Sequence, residues 1–203
     1  MPRVIAYIDG YNLYHGLRDS NWKWAYWLNL QALMTFFLHP PETLVKTKYF
    51  TTIVKDNPGR RTRQGVFLEA LKTLQDFDIF YGHFLSNPVT CVRCGHTYTT
   101  HHEKMTDVNI ATELLVDTYT DQYDKAFLVT ADSDLCAPLE AVRKLFPHKK
   151  IVVLFPPARS SKQLMKLASG YEYISRNRLS KSLFPETVKK PDGFILKRPE
   201  SWR

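Results

Sequence analysis

Four aspartates in this sequence sit where carboxylates can act together. Asp9 ends the run Val4-Ile5-Ala6-Tyr7-Ile8, and Asp132 and Asp134 follow Leu128-Val129-Thr130-Ala131. Asp107 lies near the start of a helical stretch. Crowded into one crevice, four carboxylates repel each other so strongly that full ionisation is tolerated only around a cation. An all-oxygen donor set suits Mg²⁺ or Mn²⁺. Such an ion lowers the pKa of a bound water and neutralises a scissile phosphate, which is the setting for phosphodiester hydrolysis. Asn12, one helical step beyond Asp9, can position substrate or a metal-bound water, and Thr130 and Ser133 can hydrogen-bond the carboxylates from behind. Each residue also has a plainer use: Asp9-Gly10 as a turn pair, Asp132 or Ser133 as a helix cap, Asp107 as a first-turn acid beside the helix dipole. The coincidence of these signals at strand ends tips the balance to a metal site.

The elements that must position them follow from the apolar pattern. Short β-branched runs predict strands at residues 4–8, 44–54, 79–85, 126–130 and 151–155. Helical spacing occupies residues 28–38, 61–74, 104–119, 138–146 and 161–168. This alternation predicts an α/β fold with a parallel sheet covered by helices on both faces. In such folds functional residues gather outside the carboxyl ends of the strands. If the first and fourth strands are neighbours, Asp9, Asp132 and Asp134 converge, and Asp107 reaches them from the adjacent helix start. Residues 86–102 fit neither period and read as an insertion in a domain spanning 1–175, with a tail at 176–203 that packs on the domain or extends from it.

At 203 residues, 44% hydrophobic and 24% charged, the chain can bury a core, which excludes wholesale disorder. No apolar run approaches the roughly 20 residues of a membrane span. The N-terminus lacks the apolar stretch and cleavage site of a signal peptide, so a cytoplasmic protein is expected. A net charge of +8 and a pI of about 9.3 favour polyanionic partners, nucleic acid first. Lys55, Arg60, Arg61 and Arg63 lie in a Gly-containing loop after the second strand, at the edge where the acidic crevice should open, and Lys104 stands beside it. These residues suit a phosphate backbone. Trp22, Trp24, Tyr26 and Trp27 could stack on unpaired bases, but aromatics this dense are more often core or an oligomer contact. Cys136 reads as a small buried hydrophobe.

Three blocks carry a family resemblance: Ile8-Asp9-Gly10-Tyr11-Asn12-Leu13, Glu103-Lys104-Met105-Thr106-Asp107-Val108, and Leu128-Val129-Thr130-Ala131-Asp132-Ser133-Asp134-Leu135. With Leu179, Phe184-Pro185 and Lys197-Arg198-Pro199-Glu200-Ser201-Trp202 in the tail, they resemble the NYN domain, in the LabA-like branch of the PIN-like nuclease superfamily. The resemblance implies a PIN-like three-layer sandwich with strand order 3-2-1-4-5 and a divalent-metal site for cleaving RNA. It puts Asp9, Asp107, Asp132 and Asp134 at the acidic metal-binding positions and Asn12 at the asparagine of the first block. Where related chains often have an aspartate six residues after the one at 107, this chain has Glu113.

Cys91-Val92-Arg93-Cys94-Gly95-His96 is a CxxC knuckle inside the insertion, followed by His101 and His102. In a reducing compartment the pair suggests metal more than a disulfide. Cys91, Cys94, His96 and His102 form a candidate structural Zn²⁺ set, with spacing tighter than in a zinc finger. A site shared across a homodimer and an unmetallated pair are the other readings. The expected function is therefore a Mg²⁺- or Mn²⁺-dependent endoribonuclease acting on RNA, single-stranded in preference. An RNA-binding regulatory module with little turnover and a phosphatase of small phosphoesters are the alternatives.

Overall fold

The computed structural model describes the whole chain except Asp56 and the side chains of residues 83–89 and 98–104. The side chains of His102 and Lys104, two of the expected site residues, lie outside the described residues. Six parallel strands form the central sheet: β1 (Arg3–Asp9), β2 (Thr43–Thr51), β3 (Phe77–Tyr81), β6 (Lys125–Val129), β7 (Lys150–Phe155) and β8 (Gly170–Tyr173). Their order is β3-β2-β1-β6-β7-β8. Counting only these strands, this is the expected 3-2-1-4-5 with a sixth added at the edge. The chain reverses its winding between β1 and β6, which pair directly through Ile8 and Val129. That is where an open α/β sheet leaves a crevice at its carboxyl edge.

Side chains alternate across β1, so each face of the sheet has its own core. Val4, Ala6 and Ile8 face a core built with α1 (Gly10–Asp19), α2 (Leu30–Thr35) and α3 (Pro58–Leu71). Ile5 and Tyr7 face a second core built with α4 (Thr106–Tyr119), α5 (Cys136–Leu145) and α6 (Lys162–Leu167). Burial on both sides explains why β1 is apolar from Val4 to Ile8 without a polar alternation. The tail folds back on the first core. After α7 (Arg176–Ser180), a small antiparallel pair, β9 (Thr187–Lys189) and β10 (Ile195–Lys197), lies against α3, and a 3₁₀ turn at Glu200–Trp202 ends the chain. Trp27 Nε1 donates to Pro185 O at 2.8 Å, tying the tail to the body. No described helix is long and apolar enough to cross a membrane.

Three parts differ from expectation. Residues 86–102 are not irregular: β4 (His83–Thr90) and β5 (Thr97–Lys104) make a separate two-stranded antiparallel sheet. The basic run at Arg60, Arg61 and Arg63 is not a loop. Asn57 Oδ1 accepts from Arg60 N at 2.9 Å as an N-cap, Pro58 occupies the first turn, and the three arginines fall inside α3. Finally, α1 starts directly at Gly10, because Asp9 caps it.

Glycine is required where α1 is pressed against its neighbours. A Cβ on Gly10 would stand 2.6 Å from Phe50 O, and one on Gly16 would stand 2.6 Å from Pro157 O. Gly16→Ala is therefore expected to destabilise the protein: overpacking costs ~1–3 kcal/mol, more than the ~1 kcal/mol of helix propensity gained. Gly65→Ala in α3 is the matched control, with nothing within 4 Å of the added Cβ. It should raise stability by about 0.5–1 kcal/mol. Urea unfolding of both variants reads the two signs, and a stabilised Gly16→Ala would refute the close approach.

Candidate active site

Asp9 is the hinge of the carboxyl edge. Its side chain, 2% exposed, caps α1 with Oδ1 accepting from Asn12 N at 2.9 Å. Oδ2 accepts from Asn12 Nδ2 at 2.8 Å and from Thr130 Oγ1 at 2.9 Å. Thr130 Oγ1 in turn accepts from Asp132 N at 3.0 Å, so one hydroxyl joins the ends of β1 and β6. Asp132 caps a 3₁₀ turn at Ser133–Leu135 by accepting from Asp134 N at 3.0 Å. Burial pushes the Asp9 pKa above the ordinary carboxylate range; the donors Asn12 and Thr130 pull it back, and the charge of Asp132 adds to the rise.

The other expected residues occupy varied settings. Asp107 is half-buried in the first turn of α4, whose start is fixed beside the end of β2 by Thr52 Oγ1 and Thr106 Oγ1, 3.5 Å apart. Asp134 and Ser133 are exposed, and the Ser133 hydroxyl bonds to neither Asp9 nor Asp132. Among the described residues, no three Asp, Glu, His or Cys side chains stand close enough to share one ion. Glu113 turns away from the crevice into a buried ion cluster. Lys48 Nζ lies 2.6 Å from both Glu113 Oε2 and Asp117 Oδ2, and Tyr7 donates its hydroxyl to Asp117 Oδ2 at 2.5 Å. Burial alone would lower the Lys48 pKa, but the two carboxylates more than offset it and hold the ammonium charged.

Arg159 was not anticipated. It follows β7, at the same carboxyl edge, and its Nη1 reaches Asn12 Oδ1 at 3.3 Å while Nη2 reaches Asp19 Oδ2 at 3.1 Å. Its Nε is buried with no partner among the described residues. The signal in the sequence was its position: an arginine four residues beyond a strand whose carboxyl end faces the crevice.

A cleft of about 560 Å³ is bounded by α1, the end of β2, α3 and Trp202. Gly10, the residue after Asp9, forms part of its wall, and Thr52 forms another. Rings run along it: Tyr14 lies 5.2 Å from Tyr26, and Tyr26 lies 5.6 Å from Trp202. Tyr11 and His15, with ring centroids 4.1 Å apart, line it as well. Burial, with Arg18 and Arg159 nearby, lowers the His15 pKa and favours its neutral ring. Arg60 and Arg63 line the cleft, Lys55 and Arg61 are exposed outside it, and no acidic side chain lines it among the described residues. Of the dense aromatics, Trp27 is core, Trp22 and Trp24 pack beside Arg176, and only Tyr26 joins the cleft.

The sign of the Asp9 shift gives a direct test. Folded Asp9 binds its proton more tightly than the unfolded chain does. Its contribution to stability is therefore greatest below the unfolded carboxyl pKa and is lost as pH rises through the raised folded value. Carboxyl-carbon NMR should show Asp9 titrating above ordinary aspartates. Asp132→Asn should move that titration down, and Thr130→Val should move it further up. An Asp132→Asn protein with Asp9 unmoved would mean the two carboxylates do not share a field.

Comparison with known proteins agrees with this architecture. The chain is 27% identical over 242 aligned residues to 6-hydroxy-3-succinoylpyridine 3-monooxygenase HspA of Pseudomonas putida, covering 98% of this chain and 75% of that protein. The crystal structure of a protein of unknown function from Vibrio parahaemolyticus superposes with a TM-score of 0.59 at 19% identity, covering 90% of this chain and 96% of that one, a likeness of fold. Residues 3–175 match the NYN domain, and the chain belongs to that family of PIN-like nuclease domains.

Proposed function

We propose that this protein is a Mg²⁺- or Mn²⁺-dependent ribonuclease of the LabA-like branch that cuts single-stranded RNA. The observation that carries the reading is a buried carboxylate, Asp9, directly followed by Gly10 in the wall of a cleft lined by rings and arginines and, among the described residues, by no acid. The donor set is all oxygen, and Asp9 already lies in the field of Asp132. Mg²⁺ usually takes one or two protein carboxylates and completes its shell with water and substrate phosphate, so a closed protein cage is not required. Asp9, Asp107, Asp132 and Asp134 are the residues that would hold it. When bound, the ion supplies an activated water and offsets the charge on the phosphate.

The chain's own residues do the rest. Asn12 fixes the orientation of Asp9, and Arg159 fixes the amide of Asn12. Arg60 and Arg63 attract the phosphates of an incoming strand. Tyr11, Tyr14, Tyr26 and Trp202 offer ring faces and edges to bases, which only an unpaired strand can present. A cleft lined by Arg60 and Arg63 favours a polymer over a small phosphoester. An RNA-binding module with little turnover is the second reading. It is favoured by the three hydrogen bonds Asp9 already accepts and by the separation of the carboxylates among the described residues.

Labelled RNA and single-stranded DNA, incubated with Mg²⁺, Mn²⁺ or EDTA, separate these readings. The wild type should cut RNA only with metal, and Asp132→Asn should lose on the order of 100-fold or more in kcat/KM, as loss of one charge-stabilising group does elsewhere. Arg60→Ala with Arg63→Ala should weaken binding and flatten the log-affinity against log-salt slope by ~1.4, about 0.7 per lost phosphate contact on a single strand. Cleavage untouched by Asp132→Asn would overturn the site. Tight, salt-sensitive binding without cleavage would put the binding module first.

A further inference from the structure

The turn of the β4–β5 hairpin has a chemistry of its own. Thr90 pairs with Thr97 at the end of the ladder, and residues 91–96 close it. Cys91 N donates to His96 O at 2.8 Å, Gly95 N donates to Cys91 O at 2.9 Å, and Gly95 sits at φ +67°. Glycine adopts that left-handed conformation without strain. These bonds close the turn over Cys91 to Cys94 and put both cysteines at the tip of the hairpin. Cysteine binds metal as the thiolate. Both cysteines are free thiols, and Cys94 is exposed.

Two thiolates are half of a tetrahedral zinc site. The other half is not at hand among the described residues. Among the described residues no third His, Cys, Asp or Glu joins the pair, His96 included. His101 pairs with Ser86 and His102 with Leu85, four and five residues down β5 from Thr97. At ~3.4 Å per residue, they lie about 14 and 17 Å along the strand from the turn, whereas zinc–ligand bonds are only about 2.0–2.3 Å long. The Cys₂His₂ set expected from the sequence is therefore split by the strand register.

We propose that Cys91 and Cys94 form one half of a structural zinc site that the same pair in a second copy of this chain completes, so that one Zn²⁺ joins two chains through four thiolates. The turn is built for such an approach. Val92 is fully exposed, an apolar side chain with nothing covering it. The ladder from His83 to Thr90 carries the turn about 27 Å along the hairpin at the usual rise. The charges also match: four thiolates around Zn²⁺ leave a net charge of −2, and an exposed Arg93 from each copy balances it. A two-fold axis through the metal makes the contact self-complementary and closed. Zinc here is structural, so the proposal stands whether or not the protein cuts RNA.

The test uses the full chain, purified with a phosphine reductant and given ZnCl₂. Elemental analysis and light scattering should give one zinc for every two chains and a dimer mass, and a strong zinc chelator should return the monomer. Co²⁺ in place of zinc should show the intense sulfur-to-metal charge-transfer absorption of a four-thiolate site. Cys91→Ser with Cys94→Ser should bind no zinc and stay monomeric with an unchanged circular dichroism spectrum, while His96→Ala and His101→Ala/His102→Ala should keep both zinc and dimer. One zinc per monomer would overturn the proposal. So would loss of zinc in either histidine variant, no zinc in the wild type, or a dimer that survives in the double cysteine variant.

Discussion

The Asp9 carboxylate accepts three hydrogen bonds in a setting with almost no solvent, and the carboxyl edge is organised around that fact. Removing a carboxylate from water costs several kcal/mol, and each hydrogen bond to a charged group recovers about 1.5–3 kcal/mol. The two sides nearly cancel, and the raised Asp9 pKa gives the direction of the remainder: burial, with Asp132 adding to it, outweighs the donors. Those donors are structural joints in their own right. Asn12 N belongs to the first turn of α1, and Thr130 ends β6, so the carboxylate couples a helix start to the neighbouring strand end across the switch point. A group held this firmly and left this poorly compensated is suited to meeting positive charge from outside.

A second buried cluster sets where α4 can lie. Lys48 extends from β2 beneath the helix and is gripped by Glu113 and Asp117, with Tyr7 of β1 donating to the same Asp117 oxygen. Taking one partner from such a pair leaves a charge stranded in the core, at about 3–5 kcal/mol. That penalty locks the register of α4 over β1 and β2. Asp107, in the first turn of the same helix, is thereby presented at the carboxyl edge. Glu113 thus has a role inside the fold, holding Lys48 from its position on the helix.

The sheet was legible because its strands are buried on both faces, which writes them as unbroken apolar runs such as Val4 to Ile8 and Ala126 to Val129. Asp9 and Asp132 were legible for the same reason, as carboxylates at the ends of those runs. Elements stabilised by something other than a core escaped. β8 reads Gly-Tyr-Glu-Tyr, an edge strand with no apolar run. The start of α1 is set by the Asp9 cap and by two glycines pressed on their neighbours, and neither produces a clear helical period. The hairpin at residues 83–104 pairs in a ladder of its own, apart from the six-stranded sheet whose buried strands give the sequence its apolar runs. Arg159 belongs to a loop, and its reach to Asn12 exists only once α1 and the β7 end are side by side.

The cleft also changes what the tail is for. The NYN match ends at residue 175, yet Trp202 forms part of the cleft wall together with Gly10, the residue after Asp9. That ring is not loosely placed. Arg198 donates to Trp24 O at 2.9 Å and to Trp202 O at 2.6 Å, and pairs with Glu186 at 3.0 Å, so one guanidinium fastens the end of the chain to the turn after α1. Leu179, Phe184, Val188 and Leu196 bury the segment between. A ring whose backbone oxygen is held by Arg198 and whose segment is buried by an apolar strap is preorganised for stacking. The candidate carboxylates therefore lie within residues 3–175, and the cleft wall that begins at Gly10 is completed by Trp202, beyond that range.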